Sequence, residues 1–139
     1  MPDSKRKARI LVVEDHPIIA ELVETRLRIE GLDPVKCPGG REALQVIERE
    51  RFDLVVLDIM MPELDGYEVL RQIRARFSGR DLPVIMLTAK STPADVDKGI
   101  AMGANYYITK PFSGLDLVRK IRLCLEETRD STAEVPAER

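Results

Sequence analysis

Several short apolar runs in this sequence end in residues that can do chemistry. The polar residues at these ends are the acid pair Glu14 and Asp15, then Asp58, Thr88 and Lys110. Carboxylates that converge repel one another unless a cation lies between them, and a set of oxygen ligands suits Mg²⁺. If these run ends meet in space, the sequence predicts a magnesium site with a hydroxyl and an ammonium beside it.

Asp58 is the candidate nucleophile of such a site. With a metal at Asp15 and Asp58, one oxygen of Asp58 remains free to attack a phosphoryl group and form an acyl phosphate. Lys110 would then neutralise the phosphoryl oxygens and the hydroxyl of Thr88 would orient them. Taken alone, an aspartate such as Asp58 is more often the cap of a helix or turn than a nucleophile, and only its neighbours favour the nucleophile.

Strands and helices alternate along the chain. The apolar runs predict strands at residues 10–13, 34–37, 54–57, 82–87 and 106–109. The helical periodicity predicts helices from Pro17 to Gly31, around 41–49, around 70–77 with an end near Ser78 and Gly79, from Pro93 to Gly103, and around 117–125. This alternation favours a parallel sheet with helices on both faces. The carboxyl ends of its strands would then share one edge, which brings the polar run ends together.

Composition indicates one soluble domain. A chain of 139 residues with 44% hydrophobic and 33% charged residues can bury a core without metal or disulfides. The formal net charge of -2 disfavours direct binding to nucleic acid. We expect an N-terminal tail at residues 1–7, a domain at 8–127, and a disordered C-terminal tail or linker stub at 128–139, where no apolar period continues.

The cysteines and the N-terminus indicate the compartment. Cys37 and Cys124 are far apart, without a Cys-x-x-Cys spacing or a histidine cluster, so neither a zinc site nor a disulfide framework is expected. We expect both to be buried or half-buried thiols. The apolar run after Lys5–Lys7 is too short for a signal peptide or a membrane span. The expected location is therefore cytoplasmic.

Taken in order, these motifs resemble the receiver domain of bacterial two-component response regulators over about residues 8 to 126. The resemblance rests on Glu14-Asp15, Asp58 with Met61-Pro62 and Gly66, Thr88-Ala89, and Tyr107 followed by Lys110-Pro111-Phe112. It implies an α/β fold of the flavodoxin-like type. This fold is a three-layer sandwich with a five-stranded parallel sheet in order 2-1-3-4-5 and five helices.

The resemblance also implies a reaction. Asp58 would accept a phosphoryl group from the phosphohistidine of a sensor histidine kinase or a histidine phosphotransfer protein. Asp15, Asp58 and the main-chain carbonyl of Met60 would hold Mg²⁺, and Glu14 would act through metal-bound water. Such a domain is no general enzyme, because it catalyses only its own phosphorylation and dephosphorylation.

A conformational switch is implied as well. The phosphoryl group would contact Thr88, the Ala89 main-chain N–H and Lys110, which is expected to precede a cis peptide bond at Pro111. Thr88 would move inward and Tyr107 would turn to a buried rotamer, changing the surface of the fourth helix, fifth strand and fifth helix. The changed surface would bind a downstream protein or act on a fused output domain. The domain itself is expected to bind neither nucleic acid nor a membrane. A phosphorylation-dependent homodimer is also compatible with the resemblance.

Some positions depart from common receiver patterns. Tyr106 stands where receivers that dimerise through this surface often carry an acid, so a salt-bridged dimer is not carried over. Met60 and Lys90 flank the place where a hydrolytic water would approach. Because the apolar side chain of Met60 orients no water, we expect slow self-dephosphorylation.

Three other functions compete with this interpretation. An aspartyl-phosphate-forming phosphatase commonly has a general acid two residues after its nucleophile, and here that residue is Met60. A nucleotide-binding α/β domain would show a glycine-rich phosphate loop after its first strand, and none follows here. A receiver-like interaction module that is never phosphorylated would be expected to lack Asp15, Asp58 or Lys110, and all three are present.

Overall fold

The computed structural model describes the backbone of residues 6–138 and the side chains through Thr128. Residues 1–5 of the predicted N-terminal tail lie outside the described residues. The elements are β1 (Arg9–Val13), α1 (Pro17–Ile29), β2 (Asp33–Cys37), α2 (Gly40–Arg49), β3 (Leu54–Leu57), α3 (Gly66–Arg74), β4 (Val84–Thr88), α4 (Pro93–Ala101), β5 (Tyr106–Thr109) and α5 (Gly114–Glu138).

The five strands form one parallel sheet in the order β2-β1-β3-β4-β5. This order confirms the predicted flavodoxin-like topology. Every residue of β3 is buried, because helices cover both faces of the central strands. β2 lies at an edge, where the missing N–H of Pro34 costs the sheet least.

The core has two layers, one on each face of the sheet. Alternate residues of a strand point to opposite faces, so Leu11 and Val13 enter one layer while Ile10 and Val12 enter the other. The first layer also receives apolar residues of α2 and α3, and the second receives those of α1 and α5. Helices thus cover both faces of the sheet, as predicted. Cys37 and Cys124 are buried free thiols, also as expected.

Helix α1 divides its apolar residues between two faces. Val23 and Leu27 pack into the core. Ile18 and Leu22, however, are 63% and 61% exposed. The helix therefore presents apolar side chains to the outside as well as to the sheet.

Helix α3 ends earlier than predicted, at Arg74 and not near Ser78. After Arg74 the chain forms a turn, in which the Phe77 N–H still donates to the Ile73 carbonyl at 2.7 Å. The guanidinium of Arg74 donates to the main-chain carbonyls of Phe77, Ser78 and Leu82 at 3.3, 3.2 and 2.8 Å and so fixes the segment that follows the helix. β4 likewise begins at Val84, just after a proline that cannot donate to the ladder.

Helix α5 extends farther than predicted. Its backbone is helical from Gly114 to Glu138, whereas the sequence led us to expect a disordered C-terminal tail or a linker stub at residues 128–139. The apolar period does end there. Glu, Arg and Ala, which favour a helix, make up half of residues 128–139, and the other half includes Pro136, which disfavours one.

Candidate phosphorylation site at the carboxyl edge of the sheet

Three carboxylates meet at the carboxyl edge of the sheet. Glu14 and Asp15 follow β1 and Asp58 follows β3, and one carboxylate oxygen from each lies within 4.8 Å of the others. Glu14 and Asp58 are buried, whereas Asp15 is exposed. The parallel pairing of β1 with β3 brings these residues together, since Val13 and Leu57 are register partners.

The ammonium of Lys110 joins two of these acids. Its Nζ lies 2.8 Å from Glu14 Oε1 and 3.2 Å from Asp58 Oδ2, and only 14% of the Lys110 side chain is exposed. The Lys110 main-chain N–H donates to the Thr88 carbonyl at 2.8 Å, which ties the end of β5 to the end of β4. The predicted cis peptide bond between Lys110 and Pro111 is present.

The pKa values of Glu14 and Lys110 are shifted by burial and by the neighbouring charges. Burial raises the pKa of Glu14, although its hydrogen bond to Lys110 acts in the opposite direction. Burial alone would lower the pKa of Lys110, but the hydrogen bond to Glu14 and the charge of Asp58 outweigh it, so this pKa is raised. Lys110 therefore stays charged at neutral pH and compensates part of the negative charge beside it.

The backbone around Asp58 is held tightly. Asp58 Oδ1 accepts the Met60 N–H at 3.2 Å, so this carboxylate caps a turn while its other oxygen faces Lys110. A Cβ at Gly66 would lie 2.2 Å from the Asp58 carbonyl oxygen, which leaves room only for glycine. The side chain of Met60 is 55% exposed and adds no polar group.

Thr88 and Tyr107 are joined through the main chain of Lys90. Thr88 is fully buried, and its Oγ1 accepts the Lys90 N–H at 3.3 Å. The hydroxyl of Tyr107, a half-buried residue, donates to the Lys90 carbonyl at 2.7 Å. Ala89 lies between Thr88 and Lys90 and is exposed. One peptide segment thus contacts both residues expected to act as the switch.

Sequence reasoning missed Tyr67. This tyrosine follows Gly66 in the first turn of α3 and is buried, and its hydroxyl donates to the Asp95 carbonyl of α4 at 3.2 Å. The Lys98 ammonium lies 4.1 Å from the centre of its ring. The sequence offered only its position after Gly66, because a contact with α4 depends on how two distant helices pack. Asp15 lies one residue before His16, the N-cap of α1.

The donor set fits a divalent cation. Glu14, Asp15 and Asp58 offer only oxygen ligands, and the exposed Asp15 leaves the cluster accessible from solvent. With Lys110 as the paired cation, three carboxylates and one ammonium leave two negative charges. Oxygen ligands with an excess of negative charge suit a hard divalent ion such as Mg²⁺.

Comparison with known proteins identifies the family. The family model of the response regulator receiver domain matches residues 10–122. The chain therefore belongs to the response regulator receiver domain family, and it is a phosphoacceptor-type module of two-component signalling.

Curated relatives are longer regulators. The chain is 46% identical over 120 residues to a probable transcriptional regulator ycf27 of Porphyridium aerugineum, covering 86% of this chain and 49% of the relative. It is 42% identical over 129 residues to the DNA-binding response regulator MtrA of Mycolicibacterium smegmatis, covering 93% of this chain and 55% of the relative. The chain thus spans about half the length of these relatives.

Solved structures agree with the fold. A Francisella response regulator receiver domain has a TM-score of 0.82 and 32% identity, with 88% of this chain and 99% of that chain covered. A CheY-like receiver protein of Methanospirillum hungatei has a TM-score of 0.83 and 30% identity, with 91% and 99% covered. Across the described residues, no helix combines the length and apolar character needed to cross a lipid bilayer.

Proposed function

We propose that Asp58 is the phosphoacceptor of this receiver and that it accepts a phosphoryl group from a protein phosphohistidine. An Asp58 oxygen attacks phosphorus, the P–N bond to the imidazole breaks, and the electron pair of that bond returns to the ring nitrogen. Lys110 stays within reach of the transferred oxygens and neutralises part of their charge. The chain would catalyse only its own phosphorylation and dephosphorylation.

Mg²⁺ is the proposed cofactor. Asp15, Asp58 and the main-chain carbonyl of Met60 would hold it, with Glu14 acting through a bound water. When bound, the ion would supply the positive charge that lets a carboxylate and a phosphoryl group approach each other. The Ala89 N–H and the Thr88 hydroxyl, at the adjacent end of β4, are the proposed donors to the phosphoryl oxygens.

The observation that carries this proposal is the shared ammonium of Lys110. It pairs with both Glu14 and Asp58 in a mostly buried position, next to the exposed carboxylate of Asp15. A module that is never phosphorylated has no need to bury such a costly cluster. An aspartyl phosphatase would need a proton donor at Met60, whose thioether cannot supply one.

The exposed face of α1 supports a protein as the phosphoryl donor. Ile18, Leu22 and Ile29 line a groove of about 530 Å³ together with Phe112 of the segment before α5. The groove adjoins both segments that carry site residues, because α1 follows Asp15 and Phe112 follows Lys110 by two positions. Glu21, Thr25 and Arg26 also line the groove, and a partly apolar groove beside the reacting groups fits a histidine kinase or a histidine phosphotransfer protein.

The remaining features of the proposal concern the whole module. We place the receiver domain at residues 8–127, with its output through the surface of α4, β5 and α5 to a downstream protein, a fused output domain or a second phosphorylated copy. The buried free thiols of Cys37 and Cys124 support a cytoplasmic location.

Incubation with acetyl phosphate and Mg²⁺ followed by intact-protein mass spectrometry tests the proposal. We expect the wild type to gain the mass of one phosphoryl group and Asp58→Asn to gain none. Asp81→Asn is the matched control, because Asp81 is an exposed aspartate near the opposite edge of the sheet, and it should behave as the wild type. An unmodified wild type, or phosphorylated Asp58→Asn, would refute the assignment.

A further inference from the structure

A pocket of about 600 Å³ lies at the amino edge of the sheet, the edge opposite the carboxylate cluster. One wall comes from the end of α2 and the connection to β3, and the other from the segment between α3 and β4. Phe52 and Leu82 line it, each two residues before a strand. A strand rises about 3.3 Å per residue, so the pocket is about 20 Å from Asp58.

Charged residues of both signs line this amino-edge pocket, and two of its acids are already paired. Three lining residues are arginines and three are acids. Glu48 forms an ion pair with Arg76, which joins α2 to the segment after α3. Glu50 pairs with Arg9 of β1 at 2.9 Å. These two carboxylates therefore have little charge left to repel an anion in the pocket.

Arg49 and Arg51 are the lining arginines whose charge is not compensated. Within residues 6–128, no hydrogen bond or ion pair engages either guanidinium. The remaining acid of the lining, Asp81, is exposed and forms no ion pair within the same residues. Two cations thus stand against one carboxylate, and the pocket favours an anionic ligand.

The backbone that carries Arg51 is held in place by Arg9. The Arg9 guanidinium donates to the Arg51 carbonyl at 3.1 Å and to Glu50 Oε1 at 2.9 Å, and it lies 4.7 Å from the centre of the Phe52 ring. The main-chain N–H of Arg9 donates to Asp53 Oδ2 at 2.7 Å. The four residues before β3 are therefore fixed from β1, which lowers the entropy lost when Arg51 binds a ligand.

The inner side of the pocket is apolar. Phe52 and Leu82 are buried members of the core, and half-buried Phe77 packs against it. The Arg76 guanidinium lies 5.9 Å from the centre of the Phe77 ring. An apolar inner side with arginines at the mouth suits a ligand that has an apolar body and an anionic head.

We propose that the amino-edge pocket binds a small phosphate monoester with an apolar body, and that Arg49 and Arg51 contact its phosphoryl group. A phosphate monoester carries nearly two negative charges at neutral pH, and its oxygens match the N–H fork of a guanidinium. The volume lies in the usual range of small-molecule sites and exceeds what a bare phosphate ion fills. The ligand is bound and not consumed, so this site goes beyond the reaction at Asp58.

Titration of the unphosphorylated chain with phenyl phosphate, without Mg²⁺, tests the pocket by ¹H–¹⁵N NMR. We expect saturable shifts of the main-chain amides of Arg51, Phe52 and Leu82, and none at Asp58, where the carboxylates repel an anion. Phenol has the same ring without the phosphoryl group. It should bind at least tenfold more weakly, because it loses the charge-assisted hydrogen bonds.

Two single variants test the arginines. Arg49→Gln and Arg51→Gln should each weaken phenyl phosphate binding by about tenfold, the effect of one hydrogen bond to a charged group. Neither guanidinium bonds within residues 6–128, so thermal unfolding should be unchanged. Arg119→Gln is the matched control, because Arg119 is an exposed arginine of α5 that also forms no ion pair within these residues. It should bind like the wild type.

The results that would overturn the amino-edge site are specific. Absence of saturable shifts at Arg51, Phe52 and Leu82, or shifts confined to the amides around Asp58, would exclude it. Phenol that binds as tightly as phenyl phosphate, or equal weakening in Arg51→Gln and Arg119→Gln, would show that the arginines recognise no phosphoryl group. None of these measurements depends on phosphorylation, so this site and the assignment of Asp58 can fail independently.

Discussion

Among single residues, Lys110 is the cation that pairs with two acids of the site. Its ammonium contacts Glu14 and Asp58, which are both buried and negatively charged, and gives each of them a positively charged partner. Burial still raises the pKa of Glu14, so the pairing does not fully compensate the loss of water. The remaining negative charge, together with exposed Asp15, is what makes the cluster receptive to a cation.

Met60 is expected to set the lifetime of the phosphoryl group. It stands two residues after Asp58, and its exposed side chain has no group that can orient a water molecule. We expect Met60→Asn, which adds a hydrogen-bonding amide, to speed loss of the phosphoryl group by about three- to tenfold. The decay of phosphorylated protein after removal of acetyl phosphate measures this rate.

The control for Met60 keeps its shape. Met60→Leu remains apolar and should decay like the wild type. A wild-type lifetime of only seconds, or equal decay for Met60→Asn and Met60→Leu, would contradict the role given to this side chain.

Among the elements, α1 combines two tasks. Val23 and Leu27 secure it to the sheet, while Ile18 and Leu22 face outward into the groove shared with Phe112. An element that belongs to the core and also exposes apolar side chains beside the site is suited to partner docking. The same helix begins two residues after Asp15, so a partner docked there would lie near Asp58.

A charged residue in this groove should slow phosphotransfer from a protein donor but not phosphorylation by a small-molecule donor. We expect Leu22→Asp to reduce phosphotransfer from a phosphorylated histidine kinase by about tenfold or more, a typical loss at an interface hot spot. Phosphorylation by acetyl phosphate should be unchanged, because the site itself is intact. Time courses with each donor provide the comparison.

Leu123→Asp is the matched control for Leu22→Asp. Leu123 is another exposed leucine, 39% accessible, and lies on α5 outside the groove. It should leave transfer from the kinase unchanged. An equal loss with both variants, or no loss with Leu22→Asp, would exclude the groove as the docking site.

For the molecule as a whole, one sheet between two apolar layers supplies the stability on which the charged edge depends. Cys124 lies in one layer and Cys37 in the other. Burial raises the pKa of Cys124 to about 12 from 9.0 and also raises the pKa of Cys37. The folded protein therefore retains both thiol protons at a pH where the unfolded chain releases them.

This difference predicts a loss of stability in alkali. Because the folded pKa of Cys124 is raised, its contribution is fully present below pH 9 and is lost as pH rises from 9.0 toward about 12. We expect the free energy of unfolding to fall by about 1 kcal/mol for this thiol between about pH 9 and 10. Urea unfolding at a series of pH values measures the decrease.

Cys124→Ala provides the comparison for the alkaline loss. Its stability at neutral pH should be lower because a buried sulfur is removed, but its decline between about pH 9 and 10 should be shallower than that of the wild type. Identical declines in both proteins would show that the Cys124 thiol does not cause the effect.

Much of the fold and of the candidate site followed from local pattern. Apolar runs that end in polar residues indicated both the strands and the edge at which Asp58 and its neighbours meet. The strand order 2-1-3-4-5 was implied by the resemblance to receiver domains and not by local pattern, and the sheet confirms it. Local pattern succeeds here because parallel strands joined by helices leave all carboxyl ends on one side.

Other features required the packed structure. Lys110 and Glu14 are 96 positions apart, and their 2.8 Å pairing depends on how β1 and β5 are placed in the sheet. The hydrogen bond of the Tyr67 hydroxyl to α4 and the packing of the Tyr107 ring against Gly99 likewise join segments that are not adjacent in the chain. Hydrophobic periodicity identifies which face of an element is apolar, but it carries no information about which side chain of another element will meet that face.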